Sequence, residues 1–174
     1  MTPRAPRKPG PRTRPPTEAA RVDYTGAVYG SLLAASVIVG AGTLGAFPRL
    51  ELVLLLLCTG AVFWAAHVFS HLFGDRMADR SMDLEEVRRV CADERPILDA
   101  ALPPALAVAV GPLLGLGLQA TVWLALAVAV AGQVGWATAA AVRVGAPRRL
   151  VVAVGVINLL LGLIIVAAKA ALQH

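Results

Sequence analysis

Residues 100–142 read AALPPALAVAVGPLLGLGLQATVWLALAVAVAGQVGWATAAAV and contain no Asp, Glu, Lys or Arg. As a single helix these 43 residues would be about 65 Å long, twice the ~30 Å hydrocarbon core of a bilayer. The segment must therefore cross the membrane, turn and cross back. It predicts two membrane-spanning helices, at about 97–117 and 120–142.

Three more stretches lack charged residues and are each about one bilayer long, namely 24–48, 52–74 and 150–168. They predict spans at about 24–47, 51–73 and 149–171. Composition agrees, because 57% of the residues are hydrophobic and the mean hydropathy is +0.70, well above that of a soluble domain. The predicted fold class is an all-α membrane protein in which residues 22–174 form a bundle of five transmembrane helices.

The lysines and arginines indicate how this bundle is oriented. Six precede the first span, and the successive segments after it hold one, five, none, three and one. Alternate segments thus hold fourteen and two basic residues. The positive-inside rule places the N-terminus and the 75–95 loop in the cytoplasm and the C-terminus outside. This topology accounts for the net charge of +5 without a nucleic-acid partner.

Two cytoplasmic segments stand out from the spans. Residues 1–21 hold six prolines and six basic residues, which predicts a disordered tail that either binds anionic headgroups or only sets the orientation. In the 75–95 loop, Ser81 is a candidate N-cap, with acidic residues after it and Arg88 and Arg89 further on. This order predicts a short amphipathic helix at the membrane surface, serving as a connector or as a contact for a partner.

Small residues recur at four-residue spacing in the first and third spans. In lipid this spacing lets helix backbones approach closely, either within the chain or between copies in a homo-oligomer. The pairs are Gly26 and Gly30, Ser36 and Gly40, and Gly111 and Gly115.

In the second span, His67, His71 and Asp75 follow one another at four-residue intervals and so lie on one face of the helix. Two histidines at this spacing can share a metal ion, with the carboxylate as a third ligand. Such a row can also pass protons, because histidine titrates near neutral pH. The simplest alternative is that these side chains pack and hydrogen-bond at the cytoplasmic end of the span.

Polar residues in the other spans fall at a similar depth. Counted from the cytoplasmic end of each span, they lie about 12–15 Å below the surface, where Pro103 and Pro104 also leave two backbone carbonyls without partners. Polar groups at this depth normally face the interior of a bundle, so we expect a polar layer, with Asp99 as the partner of His71. The residues assigned to this polar layer are His67, His71, Asn158, Gln133, Ser31 and Asp99.

No motif of a known enzyme class is present, and there is no inverted repeat typical of secondary transporters. No cofactor is expected. Haem would need axial histidines from two helices, but His67 and His71 share one. The leading hypothesis is a non-enzymatic packing or assembly component of the cell membrane, with the bilayer and another membrane protein or a second copy as partners. The alternative is a transporter or channel for protons, metal ions or a small polar solute through the polar layer.

Three strings carry a resemblance to a group of proteins. They are VYGSLLAAS at 28–36, FWAAHVF at 63–69 and ERPILDAALPP at 94–104. Together with the Ala/Val/Arg/Pro-rich composition, they resemble small, uncharacterised multi-pass membrane proteins of actinobacteria over roughly residues 22–172. The resemblance implies a membrane location but no activity, so it assigns no residue a role.

Overall fold

The computed structural model describes residues 16–41, 48–77 and 83–172, with only the backbone described at 16–23, 75–77 and 172. Every regular element in these ranges is helical, which confirms the all-α class. The α-helices are α1 (Pro16–Gly40), α2 (Pro48–Met77), α3 (Leu84–Asp93), α4 (Arg95–Asp99), α5 (Leu102–Val110), α6 (Leu118–Arg143) and α7 (Arg148–Leu172). A 3-10 turn at Gly111–Leu114 follows α5.

Within the described ranges, four helical segments are long and apolar enough to cross a membrane. They are Pro48–Gly74, Leu84–Leu114, Leu118–Arg143 and Arg148–Ala171, and the second of these runs through α3, α4, α5 and the 3-10 turn. The apolar part of α1, Tyr24–Gly40, is shorter. The chain therefore has the helices of a polytopic membrane protein.

The centre of the bundle is formed by α1 and α6, which pack along one another. On one side α2 contacts α1, α4 and α5, and on the other side α7 contacts α6 and, less extensively, α1. The principal core cluster consists of buried residues from α1, α2, α5 and α6, the largest being Ile38, Leu52, Leu56, Val108 and Leu126. None of the buried residues in this cluster comes from α7.

Glycine at position 30 allows the closest described approach of α1 to α4. A Cβ atom built on Gly30 would lie 2.6 Å from the carbonyl oxygen of Ile97 and 3.0 Å from the Cβ of Ala100. Gly26, one turn earlier, also faces Ile97. This pair of glycines therefore serves packing within the chain, whereas a Cβ on Gly40 would meet nothing within 4 Å.

The helical segment Leu84–Leu114 is interrupted at Pro103 and Pro104. Since Pro103 and Pro104 have no N–H group, they cannot bond to the carbonyls of Asp99 and Ala100, and α4 accordingly ends at Asp99 while α5 begins at Leu102. The turn is closed by the Ala101 N–H, which donates to the Leu98 carbonyl at 3.1 Å. Ala100 and Ala101 are buried, so neighbouring helices enclose the interruption, as irregular backbone at membrane depth requires.

The first helix of the Leu84–Leu114 segment is α3, which lies in the 75–95 loop of the sequence. Its N-cap is Asp83, which makes no side-chain capping bond, and the expected start at Ser81 lies outside the described residues. Val90 is its buried residue, whereas Leu84 is mostly exposed. The indole N–H of Trp64 donates to the Cys91 carbonyl at 3.0 Å and so ties the end of α3 to α2.

Candidate functional site

Two members of the predicted polar layer, Gln133 on α6 and Asn158 on α7, form a direct contact. The Gln133 amide Nε2 donates to the backbone carbonyl of Asn158 at 3.1 Å and to its Oδ1 at 3.3 Å. The Asn158 Nδ2 in turn donates to the carbonyl of Val154 at 3.0 Å. Gln133 is fully buried, and its Oε1 has no hydrogen-bond partner in the described part of the chain. The pair joins two helices and leaves one buried acceptor.

Ser31 on α1 is also buried against α6. Its hydroxyl donates to the Ala27 carbonyl of its own helix at 2.9 Å. It faces α6 at Gly132, where a Cβ atom would come 3.4 Å from the Ser31 Oγ. Ser31 is thus buried beside the neighbour of Gln133 in the sequence, while its hydroxyl bonds within α1.

His67 faces α1. Its Nδ1 lies 3.0 Å from the Phe63 carbonyl of its own helix, and its ring packs on Tyr29 with 5.6 Å between ring centroids. Tyr29 also contacts Phe63, at 6.1 Å between centroids. The predicted contact of His67 with the Gln133–Asn158 pair therefore stays a prediction.

The partner of His71 is Glu94, and the prediction of Asp99 was wrong. His71 Nε2 lies 3.0 Å from Oε1 of Glu94, whose side chain is only 6% exposed. Glu94 occupies the junction between α3 and α4, which folds back against the end of α2, whereas Asp99 is one helical turn further on and lies 3.6 Å from Arg95 Nε. Counting residues along the spans could not include this reversal of the chain.

The metal hypothesis for His67, His71 and Asp75 stays a prediction. Among the side chains that the structure describes, no group of three His, Cys, Asp or Glu residues comes together in a way that could hold a metal ion. The side chain of Asp75 lies outside this described set.

A groove of about 820 Å³ lies between α1, α6 and α7 and is partly open to its surroundings. Its walls are mostly apolar, and small residues on α6 make it deep. Lining residues include Tyr29 and Leu32 of α1, Ala137 and Ala140 of α6, and Val154 and Asn158 of α7. Asn158 brings one edge of the amide pair to the surface of this α1/α6/α7 groove.

A cation–π pair, formed by Arg143 and Tyr24, lies at one end of the groove. The Arg143 guanidinium lies over the Tyr24 ring, 5.0 Å from its centroid, within the range of a cation–π contact. The Tyr24 ring also packs against Trp136 at 5.9 Å. Tyr24 and Arg143 border a second pocket of about 300 Å³, to which Arg95 and Asp99 contribute. The stacked pair thus lies between the apolar groove and a pocket that contains charged side chains.

Tyr24 and Arg143 were not predicted to be site residues, although each has a recognisable position in the sequence. Tyr24 is the first residue of an uncharged stretch, and Arg143 is the first charge after the longest one. An aromatic and a basic residue at the ends of two spans are typical of the membrane interface. Their pairing depends on which faces of α1 and α6 meet, and that is a property of the folded chain.

The other end of the bundle carries two engaged cations. Arg49 donates from its guanidinium to the Leu116 carbonyl at 2.9 Å, in the turn that precedes α6. Lys169 is 6% exposed, and its Nζ lies 5.9 Å from the ring centroid of Trp123. The side chains of Arg49 and Lys169 are thus both in contact with other parts of the bundle.

No protein-family model, curated protein or solved structure matches this chain in the comparisons with known proteins.

Proposed function

We propose that this chain is a five-span membrane protein with its N-terminus in the cytoplasm and its C-terminus outside. The fifth span is α1, which supplements the four segments named above. Its uncharged sequence runs from Tyr24 through Pro48, and these 25 residues are about as many as a ~30 Å hydrocarbon core needs. Its position against α4 and α6 at the centre of the bundle supports the same assignment.

The exposure and the contacts of the basic residues support the proposed orientation of the chain in the membrane. The described arginines that the topology puts in the cytoplasm are all exposed: Arg88, Arg89, Arg95, Arg143, Arg148 and Arg149. The two basic residues that it puts outside, Arg49 and Lys169, contact a carbonyl and an aromatic ring. Unlike the arginines assigned to the cytoplasm, these two side chains are at least partly buried, and this structural use accounts for their departure from the positive-inside rule.

We further propose that the chain acts as a non-enzymatic packing or assembly component of the cell membrane. The observation that carries this proposal is the exposure of α7. Only 6% of the residues in its most apolar stretch are buried, against 39% in α6. Meanwhile the described polar groups of the spans are largely used in contacts between or within helices, as Gln133–Asn158 and Ser31–Ala27 illustrate. An assembly component needs such a free lateral surface and has no need of a polar path.

Cysteine accessibility tests the topology. In a chain with Cys58 and Cys91 replaced by alanine, Arg88→Cys should react with a membrane-impermeant maleimide only in inverted vesicles. Gln119→Cys and a cysteine added after His174 should react in intact cells. Labelling of the C-terminal cysteine from the cytoplasmic side would require an even number of spans and would contradict the proposal.

One observation favours the alternative of a transporter or channel. The Oε1 of Gln133 is a buried acceptor without a described partner, at a depth where a passing proton or polar solute would need one. Purified chain in proteoliposomes should nevertheless show no proton or divalent-cation flux above empty liposomes. Flux that is abolished by both His67→Ala and Gln133→Leu, but not by Arg88→Gln, would replace the assembly proposal by the transporter.

A further inference from the structure

We propose that the α1/α6/α7 groove binds one anionic glycerophospholipid of the cytoplasmic leaflet, with an acyl chain along the groove and the phosphate at Arg143. This inference rests on the membrane location and orientation proposed above. It depends neither on the number of spans nor on the absence of transport. The dimensions, the lining and the charge of the groove each support a lipid as its occupant.

The groove has the height of one leaflet. On α1 its lining extends from Tyr24 to Leu32, and on α7 from Leu150 to Asn158. Eight residues of helix rise about 12 Å, close to the ~15 Å that half of the hydrocarbon core occupies. The groove is partly open to its surroundings, and in a bilayer this opening gives a lipid access to it.

The lining suits an acyl chain. Ala137, Ala140 and Ala141 form the floor on α6, and the short side chains of these alanines create the depth. The walls that α1 and α7 add are aliphatic and aromatic, apart from Thr25 and Asn158. Apolar surface of this kind is most stable when it is covered by hydrocarbon.

The charge at the mouth of the groove selects an anionic headgroup. Arg143 lines the mouth, and Arg148 and Arg149 begin α7 after a turn at Gly145, whose φ is +69°. All three arginines are exposed, and no acidic side chain is among the described residues that line the groove. A basic pocket between helices at the cytoplasmic side is the usual setting for a lipid phosphate.

The same charge disfavours a second copy of the chain as the occupant. A twofold contact along the membrane normal would bring this face of both copies together. It would then place two sets of Arg143, Arg148 and Arg149 at the same depth and near one another. A lipid phosphate neutralises these cations, whereas a second copy doubles them.

Lipid titration followed by native mass spectrometry tests the proposal. Delipidated full-length chain in detergent is titrated with phosphatidylglycerol or phosphatidylcholine that carry identical acyl chains. We expect Arg143→Gln to weaken phosphatidylglycerol binding about fivefold while changing phosphatidylcholine binding little. Arg88→Gln changes an exposed arginine of α3 that does not line the groove; it is the matched control and should leave both affinities unchanged.

A second pair of variants tests the acyl chain. Ala140→Trp fills the groove and should reduce the binding of both lipids, whereas Ala153→Trp, on an exposed position of α7 outside the lining, should not. Circular dichroism and a monodisperse elution profile identify the variants that keep the fold. Unchanged lipid binding by folded Arg143→Gln and Ala140→Trp would assign the lipid to the basic tail and overturn the proposal. A lipid-free dimer cross-linked through Ala140→Cys would also overturn it.

Discussion

Replacing Gly30 by alanine should destabilise the bundle by about 1–3 kcal/mol, the usual cost of adding atoms to a packed interior. The new Cβ would lie 2.6 Å from the Ile97 carbonyl oxygen, and ordinary van der Waals contact begins at about 3.4 Å. Because the obstructing atom belongs to the backbone of α4, no side-chain rotation can relieve the overlap. The two helices must therefore move apart by several tenths of an ångström.

Two other glycines of α1 provide graded controls. At Gly26 the new Cβ would meet the Cγ1 of Ile97 at 3.1 Å, and this side-chain atom can shift more easily than backbone, so Gly26→Ala should cost less. At Gly40 it meets nothing within 4 Å, so Gly40→Ala should change stability by less than about 0.5 kcal/mol. The stability of all three variants is measured by unfolding in mixed detergent, with the loss of helix content as the signal. A Gly30→Ala variant as stable as Gly40→Ala would refute the packing of α1 on α4.

Two further predictions concern hydrogen bonds. Gln133→Leu removes bonds to Asn158 that are worth roughly 0.6 kcal/mol on average in membrane proteins, but it also removes an unpaired buried acceptor that costs about 1–3 kcal/mol. It should therefore not destabilise the chain in the same unfolding assay, whereas a large loss of stability would indicate that Oε1 has a partner. Trp64→Phe removes the bond to the Cys91 carbonyl, so amide hydrogen exchange in residues 84–93 should rise about fivefold. Unchanged exchange there would mean that other contacts hold α3.

The sequence allows the relative depth of residues along a helix to be predicted, but not the direction in which each side chain faces. A helix rises by a fixed amount per residue, so counting from the charged ends put Gln133 and Asn158 at the same depth, and the structure joins them. In a membrane, residues that face lipid and residues that face other helices are both apolar. The pattern of α6 and α7 therefore does not reveal that they form a groove with α1.

Two local features illustrate this limit. The interruption of the Leu84–Leu114 segment follows directly from Pro103 and Pro104, because a missing N–H group is a property of the residue itself. The contact of His71 with Glu94 depends instead on how α3 and α4 fold against α2, and depth alone suggested Asp99. Chemistry local to the chain can be read from the sequence, whereas contacts across a turn require the fold.

The light burial of α7 has a consequence for how the protein is assembled during synthesis. Synthesis of the chain as far as Arg143 provides all the buried residues of the principal core cluster, because α7 contributes none of them. A chain truncated after Arg143 should therefore insert with the other helices already packed. The groove then comes into existence only when α7 docks on α6. A lipid held there would be captured as the last helix enters the membrane.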